Sequence, residues 1–191
     1  MQWHGYFGYS IFTLVLFRIV WGLVGSTHAR FANFIPSKTT LLNHLSGKSK
    51  AVLGHNPLGA LSVLALILAL LIQAITGLFS DDEIAFQGPL AKYLSEAAVS
   101  IFSEIHEANS GLIYGLIALH LAAIFYYQKI KVENLIKPML VGDKEIDPSE
   151  EAKYAPTDLG QASKDGGLQR GLALFLLSVI AVVVGYLITS S

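Results

Sequence analysis

Helix-length apolar runs constrain this chain more than any other feature. Four stretches are long enough, or nearly so, to cross a bilayer, which takes roughly 20 residues at about 1.5 Å each. They run from about Gly5 to Gly25, from Pro57 to Phe79, from about Phe102 to Tyr127 and from Gly171 to Ile188. The first carries one charge, Arg18, and the second none. Asn56 can cap the second span, and Pro57 suits its first helical position. Of the 191 residues, 53% are hydrophobic and 14% charged, too apolar for a soluble domain of this length. The expected fold class is all-α: an integral membrane four-helix bundle.

The connections orient the spans. Residues 26–56 hold Arg30, Lys38, Lys48 and Lys50 and no acid, which predicts a cytoplasmic loop by the positive-inside rule. The second connection carries Asp81, Asp82, Glu83, Glu96 and Glu104 against Lys92 and belongs on the opposite side. The third starts with Lys129, Lys131 and Lys137 and returns to the cytoplasm. Both termini then face outward, to the periplasm if this is the inner membrane of a Gram-negative cell. The first span lacks the basic flank of a signal peptide and is read as retained. Three parts result: a three-span core over 1–142, a cytoplasmic linker over 143–168 and a C-terminal transmembrane helix over 169–191.

Composition removes several function classes. Thirteen basic residues against fourteen acidic leave a net charge of −1 and no basic face for nucleic acid. With no cysteine, there are no disulfides, thiolate zinc sites or iron–sulfur clusters. Any metal chemistry must use carboxylate or the six histidines.

The histidine spacing is the informative pattern. His106 and His120 are fourteen residues apart, so on a helix they share one face to within about 40° and stand about 21 Å apart along it. That spacing suits two sites near opposite sides of the membrane core. His4 starts the first span on the side where His106 starts the third, so the two imidazoles can face each other. An iron porphyrin held by two imidazoles has no open position for oxygen or substrate, and its task is electron transfer. Gly8, Gly111 and Gly115 would let a flat macrocycle approach the backbone. Arg18, fourteen residues beyond His4, lies near the depth of His120, where a heme propionate would offset the cost of its burial.

Each residue also has a plainer explanation. His4 can be an interfacial polar group, Arg18 a side chain snorkelling to the rim, and the glycines aids to close helix packing. His120 stands out because ionisable residues inside spans are scarce and usually face a functional interior. His28, His44 and His55 are loop residues. Two other function classes compete: a divalent-metal transporter using the histidines, and a passive anchor subunit with no cofactor. Against the transporter, the apolar part of each span, which in the third begins at Gly111, offers no intramembrane acid of the kind that cation pathways commonly use.

The segments WHGYFGYSIFTLVLFRIVWGLVGSTHARF, GHNPLGALSVLALILALLIQAITGLF and HEANSGLIYGLIALH together resemble the bacterial cytochrome b561 family, which includes the b-type subunits of nickel-iron hydrogenases. The resemblance covers roughly residues 2–142, ending in ENLIKPMLVG. It implies a bundle carrying two b hemes, with His106 and His120 each supplying one ligand and His4 completing the periplasmic site. It also implies an electron-transfer subunit rather than an independent catalyst. Its partners would be a hydrogenase, another dehydrogenase or a c-type cytochrome, with the quinone pool or another carrier on the other side. In the family a further helix precedes the first one here, and its histidine pairs with the position of His120. The sequence starts three residues before His4, so that helix is expected to be missing. Three expectations follow: a longer product with two hemes; a short form with one heme, in which His120 is a remnant or is completed by another subunit; or recruitment of His28. The last is disfavoured, because His28 lies about 36 Å along from His4 while His120 lies about 21 Å from His106.

Overall fold

The computed structural model describes residues 2–26, 29–48, 57–82, 84, 86–131 and 166–190. The expected cap Asn56, the loop residues His28 and His55 and linker residues 143–165 lie outside these. The described residues are 82% helical and contain no strand. Among the described residues six α-helices follow in order: α1 (Gln2–Val24), α2 (Phe31–Phe34), α3 (Lys38–Leu45), α4 (Pro57–Phe79), α5 (Glu96–Lys129) and α6 (Gly167–Thr189).

Helices α1, α4, α5 and α6 are the four expected spans, each long and apolar enough to cross a membrane. At 23 residues, α1, α4 and α6 are each about 35 Å long, whereas the 34 residues of α5 reach about 51 Å, well beyond a hydrocarbon core of about 30 Å. The extra length of α5 lies mostly at its start, six residues before hydropathy alone would place it. There the Ser95 hydroxyl accepts from the Ala98 N–H and Glu96 sits against the positive end of the helix dipole. Hydropathy locates the part that meets lipid, and the cap decides where the helix begins.

The burial pattern inverts that of a soluble bundle. Leu68, Leu119 and Phe175 are 58%, 66% and 63% exposed, while Ala60, Ala69, Thr76 and Asn109 are buried. Small and polar residues share the helix interfaces with Val15, Leu78, Ile113 and Val184 while many large apolar ones lie outside, which suits a lipid solvent, where helix association relies on close packing and interhelical hydrogen bonds.

The spans stack in the order α5, α4, α1, α6, each helix packed on the next. Neighbours run antiparallel. Phe86, just past the end of α4, lies on Gly5 at the start of α1, and a crevice between α1 and α6 is lined by Phe17 and Trp21 near the end of α1 and by Gln169 and Arg170 at the start of α6. The α4–α5 seam keeps one register throughout. Thr76 meets His106, Gln73 meets Asn109 and Ser62 meets His120, so every step forward on α5 is matched by an equal step back on α4.

The acidic connection after α4 is built rather than loose. Asp82 Oδ1 accepts from the Ile84 and Phe86 N–H groups at 3.1 and 2.8 Å, the Gly88 N–H returns to the Ser80 carbonyl at 2.8 Å, and the Leu90 N–H returns to the Leu78 carbonyl at 2.9 Å. A Cβ at Gly88 would lie 2.5 Å from the Leu78 carbonyl oxygen, so the close return needs glycine. Ser103 ties the loop to α5, accepting from the Asp81 N–H and donating to the Asp81 carbonyl, both at 3.1 Å.

Candidate functional site

His4 and His106 come together at this loop-covered end. Their ring centres are 6.0 Å apart and their planes cross at 78°. His106 is half-buried and its Nδ1 lies 2.9 Å from the Gln73 carbonyl oxygen. A carbonyl can only accept, so Nδ1 carries the proton and Nε2 keeps its lone pair. The Thr76 hydroxyl donates to the Ile72 carbonyl at 2.8 Å and stands 3.1 Å from the same Nδ1. Thr76 is 4% exposed.

The α4 surface beneath the ring is shaped for it. A Cβ on Gly77 would lie 2.9 Å from His106 Cε1 and 3.3 Å from Nδ1, so the imidazole rests where a side chain would otherwise stand. One turn along α5, the buried Asn109 amide donates to the Ala69 carbonyl at 2.9 Å and to Gln73 Oε1 at 2.7 Å. On the α1 side, His4 is exposed and meets the Phe86 ring edge-on at 6.4 Å. The same Phe86 ring covers Gly5, where a Cβ would approach to 2.7 Å.

The other site residues lie toward the far end. His120 is half-buried and shares a hydrogen bond of 2.9 Å between Nδ1 and the Ser62 hydroxyl of α4. His106 and His120 therefore present one helix face to one partner helix. Arg18 reaches the chain that follows α1: its Nη1 donates to the Ala29 carbonyl at 3.1 Å, and the guanidinium lies 5.1 Å over the Phe31 ring. His44 sits in the last turn of α3, where a basic ring suits the negative helix end. A Cβ at Gly8, Gly111 or Gly115 would meet nothing within 4 Å, which leaves those helix surfaces open to a flat group.

Sequence reasoning did not single out Gln73, Thr76, Gly77, Asn109 or Phe86. Gln73 and Asn109 do leave a trace, as amide side chains on or beside apolar runs. Thr76 leaves none, because a threonine in a span can satisfy itself on the preceding turn.

The donor set fits a porphyrin iron. Two imidazoles on opposite sides of one metal, at roughly 2 Å per metal–nitrogen bond, have ring centres about 6 Å apart. A ligating histidine characteristically donates its other N–H to a carbonyl, as His106 does. Among the described residues no three histidine, aspartate or glutamate side chains converge on a common point, and a heme would need only two protein ligands.

A family model described as prokaryotic cytochrome b561 matches residues 1–142, and the chain belongs to that family. No curated protein and no solved structure matches it. Membership supports b-type heme binding and a membrane electron-transfer role with redox partners, and the four apolar helices fit a multi-pass protein of the inner membrane.

Proposed function

We propose that this cytochrome b561 chain holds a heme b between His4 of α1 and His106 of α5 and relays single electrons between a redox protein and the quinone pool or another membrane carrier. The observation that carries this reading is the pairing of the two rings at 6.0 Å, with His106 Nδ1 hydrogen-bonded to the Gln73 carbonyl at 2.9 Å. Held by His4 and His106, the heme would supply reversible one-electron chemistry. The protein's part is to bind, orient and shield. Gln73 and Thr76 fix the His106 tautomer, Gly77 admits its ring, and Phe86 packs edge-on against His4.

His120 is the candidate ligand of a second heme, whose other ligand comes from outside the described residues. Arg18 is the candidate partner of a propionate, exchanging its contacts to Ala29 and Phe31 for a charge-assisted pair. The lysine- and arginine-bearing connections between α1 and α4 and between α5 and α6 face the cytoplasm, both termini and the acidic loop face the periplasm, and the redox partner is a hydrogenase, another dehydrogenase or a c-type cytochrome. The reading is tested by a reduced-minus-oxidised spectrum of the purified protein with heme counted per chain. A b-type spectrum lost in His106→Ala and kept in His44→Ala supports it. A colourless protein after folding with heme supplied, or one that holds zinc or nickel instead, rejects it.

A further inference from the structure

Three groups on α4 converge on one proton. The Gln73 carbonyl accepts from His106 Nδ1 at 2.9 Å, the Thr76 oxygen stands at 3.1 Å from the same nitrogen, and Gly77 lets the ring lie directly on the helix. Thr76 has one hydrogen to give, and its shortest acceptor is the Ile72 carbonyl at 2.8 Å. Its lone pairs therefore remain for the imidazole, and the Nδ1–H is shared between two acceptors. Asn109 braces the arrangement from α5 through its bonds to Ala69 and to the Gln73 side chain. Helix α4 carries no charge and no histidine, yet it supplies both acceptors.

We propose that Thr76 is a positioning residue that, with the Gln73 carbonyl, sets the orientation and donor strength of His106 and thereby the reduction potential of the heme at this end. The inference rests on the proposed His4–His106 ligation. A shared Nδ1–H pushes electron density onto Nε2 and favours ferric over ferrous iron. Removing one acceptor weakens that push and makes the heme easier to reduce. The ring is also held against rotation, since an imidazole turned about its Cβ–Cγ bond would lose both acceptors.

The experiment is a redox titration with low-temperature electron paramagnetic resonance on the full chain in detergent or nanodiscs, comparing wild type with Thr76→Val, Thr76→Ser and Gly77→Ala. Valine keeps the shape and removes the acceptor. In Thr76→Val the ferrous-to-ferric ratio of this heme at a fixed ambient potential should rise by roughly three- to tenfold, with altered low-spin g-values. Thr76→Ser should restore both. Gly77→Ala, whose Cβ pushes on the ring itself, should alter the g-values even if the valine variant fails to fold. A purely structural Thr76 would lower heme content or melting temperature and leave potential and g-values of the retained heme unchanged, which overturns the proposal. If wild type binds no heme, or His106→Ala keeps this one, the ligation itself is wrong, and that outcome is distinct from a silent valine variant.

Discussion

The two histidines of α5 lean on the same partner helix but meet different surroundings. His106 finds a carbonyl, a hydroxyl, a bare glycine and a second imidazole 6.0 Å away. His120 finds one serine hydroxyl. A carbonyl dictates which ring nitrogen keeps the proton, whereas a hydroxyl can give or take and leaves the tautomer open. A shared face and a shared partner helix therefore do not make equivalent sites. The end whose second imidazole is in place is also the end where the acceptor is unambiguous.

The sharpest way to break this contrast is to remove His106. His106→Ala should abolish the heme at the His4 end, read as loss of about one heme per chain in a pyridine hemochrome assay, because it removes the imidazole that faces His4 at 6.0 Å. Retention of that heme would show that the pairing is accidental. His4→Ala should act next most strongly. With the α1 nitrogen gone and His106 still braced, the heme should turn from six-coordinate low-spin to five-coordinate high-spin, visible in the Soret region and by electron paramagnetic resonance.

His120→Ala tests the other end. If an imidazole from elsewhere completes that site, the substitution lowers the heme count from near two to near one and leaves the His4-end spectrum intact. An unchanged count leaves His120 with only its bond to Ser62. The smallest effect belongs to Ser62→Ala, which removes a half-buried neutral hydrogen bond and should cost about 1 kcal/mol or less, measured as a small drop in thermal midpoint in detergent. A loss of several times that would mean that the serine end is as tightly specified as the carbonyl end.

How much of this was readable from the residues alone follows from what each signal depends on. The four spans were legible because hydropathy is summed over some twenty residues, and all four helices are there. The common face of His106 and His120 was legible because fourteen residues nearly close four turns. The start of α5 at Glu96 was not, although Ser95 is an ordinary capping residue, because polar helix beyond the lipid carries no apolar signature. Helix α3 escaped for the same reason, with Ser37 as its cap. The acceptors of His106 were hidden more deeply. Which carbonyl of α4 meets the ring depends on the register between two helices, and no single-helix periodicity contains it. Phe86 was hidden because its place over Gly5 depends on a turn organised by Asp82 and Gly88.

The unbroken register between α4 and α5 makes the pair behave like a toothed ruler. One extra residue anywhere between Ser62 and Gln73 would turn one anchor point about 100° out of phase with the other. The teeth would then fit at one end and miss at the other, so deletions and insertions in this stretch face a harsher filter than substitutions do. Spacing along α4, more than the identity of its many leucines, is what a redesign of this protein would have to leave untouched.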